Sequence, residues 1–326
     1  MACPIPIRMV KGTLVEMPYS AREWPLLGRF SGSGGQFHPI LLISQKVEKK
    51  PRNALGQQES IMKTVLTIAG FDPSSGAGVT ADLMVFAAHG LFGTSAMTSL
   101  TVQSTTGVRS THPTDPAILR ATLECLHADL PPAAIKIGML ANEFIVEAVV
   151  SYLKEIKSLS PEIPVVLDPV IRSSSGRELL SAKGVKVMLE ELLPMTTWLT
   201  PNLAELSLLT GLPTSGHEAI EDAARSLQRS YPGLNMVATG GHQDPPDDLV
   251  LTSEGTLRWL TGERVESRST HGTGCAFSSA LLSRLVEGEG ALEAARGAKE
   301  YVVEAIRRAP ALGYGSGPLN HLWPLR

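Results

Sequence analysis

His271-Gly272-Thr273-Gly274-Cys275 holds more potential chemistry than any other stretch of the chain. Two glycines let the backbone turn so that successive N–H groups point at one spot. Ala276, Phe277, Ala280 and Leu281 follow at helical spacing. A glycine turn that opens a helix suits an anion, because unpaired N–H groups and the helix dipole both favour negative charge. Cys275 at the positive end of that helix is expected to have a lowered thiol pKa. The plainer alternative is a structural turn with a buried thiol, in which His271 is only the polar residue the turn needs.

Further polar residues and glycines of this kind recur along the chain. Gly70-Phe-Asp-Pro-Ser-Ser-Gly76-Ala-Gly78 is a glycine-rich turn without the lysine of a Walker A loop. Its Gly76-x-Gly78-x-x-Ala81 matches a loose dinucleotide fingerprint, but Ser99 to Gln103 supplies no acid at the end of the next strand, which argues against NAD. Asp82 is expected in the first turn of the following helix, where it either complements the dipole or accepts hydrogen bonds from a polar ligand. Gln103 is either an exposed strand end or an amide that reads the edge of a heterocycle. Asp168-Pro169-Val170 is either a turn or a carboxylate near a magnesium–phosphate centre. Thr200-Pro201-Asn202-x-x-Glu205 reads as a capping box, and a capped helix end can also hold water or metal.

The elements that position these residues alternate in type. Strands are expected at Thr64 to Ala69, Ser95 to Gln103, Ala134 to Ile137, Pro164 to Asp168, Thr197 to Thr200, Asn235 to Thr239 and Asp248 to Leu251. Helices are expected at Thr80 to His89, Pro116 to Asp129, Glu143 to Lys157, Leu203 to Thr210, Glu218 to Ser230, Thr273 to Val286 and Ala291 to Arg308. Such alternation implies right-handed βαβ units and one three-layer α/β domain. In open sheets of this kind the ligand sits beyond the carboxyl ends of the strands. Gly70, Gln103, Gly138-Met139, Asp168, Asn202 and Gly240-Gly241 each follow an expected strand, which suggests one composite site.

Composition narrows the function classes. The chain has 326 residues, 43% hydrophobic and 19% charged, so a sizeable core is available. A net charge of -3 argues against nucleic acid or an anionic membrane as the main partner, while a small anionic ligand stays open. Three dispersed cysteines with no CxxC fit a reducing cytoplasm, and no apolar run approaches the ~18 residues of a membrane span. Residues 1–61 differ from the rest: eight Lys/Arg stand against four Asp/Glu, and the remainder carries 21 against 28. With no sustained period, 1–61 is expected to be a disordered or loosely attached extension, or the result of a start placed upstream of Met62. The folded domain is expected to be 62–326. Oligomeric state stays open, a homodimer included.

Taken together, the motifs resemble those of the hydroxymethylpyrimidine/phosphomethylpyrimidine kinases of thiamine biosynthesis. The stretches that carry the resemblance are GFDPSSGAG with Ala81-Asp82-Leu83, Thr101-Val-Gln103-Ser-Thr-Thr-Gly107-Val108, Lys136-Ile-Gly-Met139-Leu140, Asp168-Pro-Val170, Thr200-Pro-Asn-Leu-Ala-Glu205, Gly240-Gly241-His242, His271-Gly-Thr-Gly-Cys275 and the tail Gly313-Tyr-Gly-Ser-Gly-Pro318. The resemblance implies a ribokinase-like αβα sandwich with a mostly parallel sheet and no separate lid domain. It implies ATP and Mg²⁺ as cofactors, and two phosphorylations of 4-amino-5-hydroxymethyl-2-methylpyrimidine at one site. By the family motifs, Gly70, Asp82, Gln103, Met139 and Val170 would line the pyrimidine pocket. Asn202, Glu205, Thr239 and Gly241 would contact the nucleotide, with Asp168 and Glu205 at the metal. Gly272, Thr273, Gly274 and Cys275 would form the anion hole, with Cys275 beside the reacting hydroxyl. Family members commonly carry a lysine where Thr239 stands, and 1–61 has no counterpart in the family core. A pyridoxal kinase of the same fold is the nearest alternative; a pyrimidine-binding module without catalysis is the non-enzyme one.

Overall fold

The computed structural model describes residues 62–173, 176–241 and 243–325. The expectations for 1–61 and His242 lie outside the described residues. Nine strands form one sheet: β1 (Thr64–Phe71), β2 (Phe92–Ser104), β3 (Gly107–Pro113), β4 (Ala134–Ile137), β5 (Val165–Leu167), β6 (Trp198–Leu199), β7 (Asn235–Ala238), β8 (Asp248–Leu251) and β9 (Leu257–Leu260). Their spatial order is β3-β2-β1-β4-β5-β6-β7-β8-β9. Every pair from β2 across to β7 is parallel, so those strands place their carboxyl ends at one edge. Antiparallel β3 closes one side, and β8 and β9 close the other.

Alternation along β1 explains the layers. Leu66 and Ile68 point to one face and Val65 to the other, as the two-residue period of a strand requires. The first face is covered by α2 (Pro116–Asp129), α3 (Glu143–Leu159), α4 (Ala182–Val187), α5 (Leu203–Thr210) and α6 (His217–Ser230). The second is covered by α1 (Gly78–Ala88), α7 (Thr273–Glu287) and α8 (Ala291–Arg307). The αβα sandwich with a mostly parallel sheet is thus as expected, and every described strand belongs to that one sheet.

Local chemistry explains the element boundaries. Asp115 caps α2 by accepting from the Ala117 N–H, with Pro116 at the first helical position. Asn142 caps α3 in the same way, and Ile145, Val149, Leu153 and Ile156 form its buried stripe. Each such side chain contributes about 1.5–3 kcal/mol when fully buried. Gly211 ends α5 in the left-handed region at φ 70°, which costs glycine no Cβ clash.

Three elements lacked a clear sequence signal. β3 reads Gly-Val-Arg-Ser-Thr-His-Pro and lies at the edge of the sheet, half in solvent, so no apolar alternation marks it. β9 has four residues, Leu-Arg-Trp-Leu. α4 contains Gly184, and its end passes through a wider turn at Met188–Leu192 and a tighter one at Leu193–Met195, which breaks the 3.6-residue period.

Candidate active site

The carboxyl ends of the parallel strands open into a cavity of about 590 Å³. One end of it is built by the turn after β1. Asp72 folds that turn: its carboxylate accepts from the N–H groups of Ser74, Gly76 and Ala77 and from the Ser74 hydroxyl, at 2.7–3.2 Å. Asp72 also reaches His271 Nε2 at 2.7 Å, which joins the first turn to the turn before α7. Burial alone would raise the Asp72 pKa, but the bonds from His271 and Ser74 outweigh it and hold the carboxyl below its ordinary value. The two turns fit without spare room. A Cβ on Gly76 would lie 2.2 Å from the His271 ring, and one on Gly272 would lie 1.9 Å from the Gly76 carbonyl oxygen.

Gly272, at φ 86°, is the N-cap of α7. The Ala276 N–H makes a helical bond back to the Gly272 carbonyl at 2.9 Å. The N–H groups of Thr273, Gly274 and Cys275 precede that bond and are available to an anion. All four residues of the expected anion hole therefore meet at the cavity wall. The thiol differs from expectation: burial pushes Cys275 up to about 12, and the Asp168 and Asp82 carboxylates add to this. Lys136 and the Gly78 N–H act in the opposite direction without cancelling it. Although Cys275 is only half-buried and lines the cavity, desolvation of its thiol outweighs the helix start.

Four of the five residues expected around the ring, Gly70, Gln103, Met139 and Val170, line the cavity. Met139 lies against Gly70, where a Cβ would come within 2.9 Å of its sulfur. The Gln103 amide lies 2.9 Å from His271 Nε2. Asp82 is the exception. It is fully buried in the second turn of α1, not the first, and does not line the cavity. Its carboxylate accepts from Lys136 Nζ at 2.9 and 3.0 Å, Thr67 Oγ1 at 2.6 Å and Ser279 Oγ at 2.8 Å. A carboxylate so fully bonded inside the core has no free lone pair for a ligand.

Asp168, Asn202, Glu205, Thr239 and Gly241 also line the cavity, Asp168 next to the start of α7, where Ser278 Oγ donates to it at 3.4 Å. The capping box is present: Asn202 Oδ1 accepts from the Glu205 N–H, and Glu205 Oε2 accepts from the Asn202 N–H, both at 2.9 Å. Burial raises the pKa of Asp168, with Lys136 opposing. Burial also raises Glu205, and the nearby Asp168 charge adds to it. Two buried carboxyls that resist ionising side by side suit a divalent cation. Hard oxygen donors, one or two carboxylates with the rest from phosphate and water, are the preference of Mg²⁺. Among the described residues no group of three or more His, Cys, Asp or Glu is placed to hold a metal ion. Thr239 donates its N–H to the Pro201 carbonyl at 2.9 Å.

Asp72 and His271 complete the site and were missing from the residues picked out for it. An Asp ahead of Ser-Ser-Gly is a turn former whose side chain bonds the next N–H groups, and that signal was present. His271 pairs with a partner 199 residues away, which no local pattern reveals.

A mostly parallel αβα sandwich whose strand ends face a helix start with available N–H groups suits a phosphate-bearing ligand, and the fold is that of the ribokinase-like pyridoxal and phosphomethylpyrimidine kinases. A model of the family described as phosphomethylpyrimidine kinase matches residues 72–320. A hydroxymethylpyrimidine/phosphomethylpyrimidine kinase of Haemophilus influenzae is 39% identical over 267 residues, 80% of this chain and 97% of that protein. The crystal structure of a Clostridium difficile phosphomethylpyrimidine kinase superimposes with a TM-score of 0.66 at 32% identity, covering 75% of this chain and 99% of that one. An ADP complex of Bacillus subtilis pyridoxal kinase gives a TM-score of 0.72 at 30% identity, over 82% and 100% of the two chains. The chain belongs to the phosphomethylpyrimidine kinase family.

Proposed function

We propose that the chain transfers phosphoryl from ATP to the hydroxymethyl oxygen of 4-amino-5-hydroxymethyl-2-methylpyrimidine, and then a second phosphoryl to the monophosphate, in thiamine biosynthesis. The observation that carries this is the convergence, in one cavity, of Gln103, Met139 and Val170 with the Gly272–Cys275 turn. Met139 and Val170 offer apolar faces to a flat ring, and Gln103 offers a donor and an acceptor to its polar edge. The N–H groups of Thr273, Gly274 and Cys275 face the transferring phosphoryl, whose charge they stabilise in the transition state. Cys275, protonated at rest, would take the alcohol proton while giving its own to an oxygen of the transferring phosphoryl group. Val302, Val303 and Ile306 of α8 line the same cavity with apolar side chains that suit an adenine ring, and Thr239, Gly241 and Asn202 would lie along the phosphates. Asp168 and Glu205 would hold Mg²⁺, which neutralises charge on the phosphate oxygens.

A reducing, cytoplasmic setting fits this reading, since Cys125 and Cys275 are both free thiols. Pyridoxal phosphorylation is the second reading, favoured by the likeness to the Bacillus subtilis pyridoxal kinase. Parallel steady-state kinetics on the aminopyrimidine and on pyridoxal separate the two. The proposal requires the larger kcat/KM on the pyrimidine; a larger value on pyridoxal overturns it.

A further inference from the structure

Four basic side chains line the cavity, His271, Lys299, Arg264 and Arg172, and three of them are engaged. His271 is bonded to Asp72 at 2.7 Å. Lys299 Nζ bonds Asp248 at 2.8 Å and the Pro246 carbonyl at 2.7 Å. Arg264 reaches Glu266 at 3.9 Å and the Gln243 carbonyl at 3.4 Å.

Arg172 differs in having a fixed root and a free head. Its backbone bridges antiparallel to Glu178, and on either side Leu179 N–H bonds the Ile171 carbonyl and Ser173 N–H bonds the Arg177 carbonyl, both at 2.8 Å. Its side chain is exposed and has no ion pair or hydrogen bond among the described residues. It stands two residues beyond Val170 on the pocket wall, and the intervening Ile171 N–H points at Glu205 at 3.5 Å. A guanidinium anchored in this way is a planar fork offered to an oxyanion.

The two acceptors of the proposed reaction differ by one phosphate. The first is a neutral alcohol, and the second carries roughly 1.5 to 2 negative charges near neutral pH. Asp72, Asp168 and Glu205 already line the cavity that the second must enter. A dianion beside them needs a counter-charge that the alcohol does not. We infer that Arg172 recognises the phosphate of the monoester acceptor and determines specificity for the second phosphorylation; the inference rests on the two-step reading above. In that step an ionised oxygen of the monoester attacks the γ-phosphorus of ATP. The bond from that phosphorus to the β–γ bridging oxygen breaks, ADP leaves with the electron pair, a new P–O–P linkage forms, and no proton has to move.

The test compares Arg172→Met and Arg172→Lys with the parent, measuring kcat/KM separately on the alcohol and on the monophosphate, and KM for ATP. Arg172→Met is expected to lose roughly ten- to a hundredfold more on the monophosphate than on the alcohol, mainly through KM, as loss of a charged hydrogen-bonding pair implies. Arg172→Lys should recover part of the loss by restoring charge without the fork. Equal losses on the two acceptors, no loss on either, or a raised KM for ATP that accounts for the effect would overturn the inference. A parent enzyme that turns over the alcohol but not the monophosphate overturns the two-step reading itself, and the parent measurement alone reveals this.

Discussion

Lys136 Nζ and the two carboxylate oxygens of Asp82 lie 2.9 and 3.0 Å apart in an ion pair that no solvent reaches. The pair joins β4 to α1. Asp82 also holds Ser279, one helical turn beyond Cys275, so the start of α7 is fastened to the strands that carry Gly70 and Met139. Burial alone would lower the Lys136 pKa, yet the Asp82 carboxylate raises it, so the lysine stays charged. Removing one partner leaves an uncompensated buried charge, at a cost of about 3–5 kcal/mol. Asp82→Asn and Lys136→Met should each lower stability in urea melts by that order, and the double variant should be less damaged than the sum. A pyrimidine KM that rises in Asp82→Asn with stability intact would instead return Asp82 to the ligand.

Gln103 lines the cavity within bonding distance of His271, where the proposed reading puts the polar edge of the ring. Gln103→Leu keeps approximate size and removes a donor and an acceptor. An unsatisfied polar group costs about 1–3 kcal/mol. Pyrimidine binding should weaken roughly ten- to a hundredfold by titration calorimetry, with ATP binding little changed. Equal losses for both ligands would make Gln103 a support of the fold.

The proposed reaction gives Cys275 different work in the two steps. The alcohol must lose a proton, whereas the monophosphate oxygen is already ionised near neutral pH. Help with proton transfer is worth ~10²–10⁴ in rate, and a loose transition state favours the lower end. Cys275→Ala should therefore lower kcat on the alcohol roughly a hundredfold and on the monophosphate distinctly less. Because burial pushes the thiol up to about 12, alkylation should be slow at neutral pH and still accelerating at the highest pH the fold tolerates. A rate plateau near neutral pH would mean an acidic thiol.

Asp168 and Glu205 are both raised by burial, so the folded state holds protons that the unfolded chain has released. Their contribution to stability is complete below the ordinary carboxylate pKa of about 4 and is lost as pH rises through the raised values. A divalent cation at this pair would relieve the repulsion only once the carboxyls ionise. Mg²⁺ should therefore raise the melting temperature more at about pH 8 than at about pH 6. The opposite trend would place the cation elsewhere.

Much of this architecture was legible because its signals are local. Asp115-Pro116 and Asn202-x-x-Glu205 announce helix starts, and Gly272 and Gly274 announce a nest, whatever the rest of the chain does. β3 was hidden because an edge strand with polar residues carries no period. Asp82 was misplaced for a related reason. Its sequence neighbours describe a helix start, while its partners Lys136 and Ser279 come from 54 and 197 residues away and turn it inward. The Cys275 thiol was misjudged because burial, which no motif encodes, outweighed the helix end.

The central claim is that one cavity performs two successive phosphorylations on an aminopyrimidine. Its most direct test incubates the enzyme with Mg²⁺, ATP and 4-amino-5-hydroxymethyl-2-methylpyrimidine and follows the products by ³¹P NMR. The account predicts a monophosphate that appears first and is then consumed, a pyrimidine diphosphate as end product, and two ADP formed per pyrimidine. A reaction that stops at the monophosphate with one ADP, or that proceeds with pyridoxal and not with the pyrimidine, would contradict it.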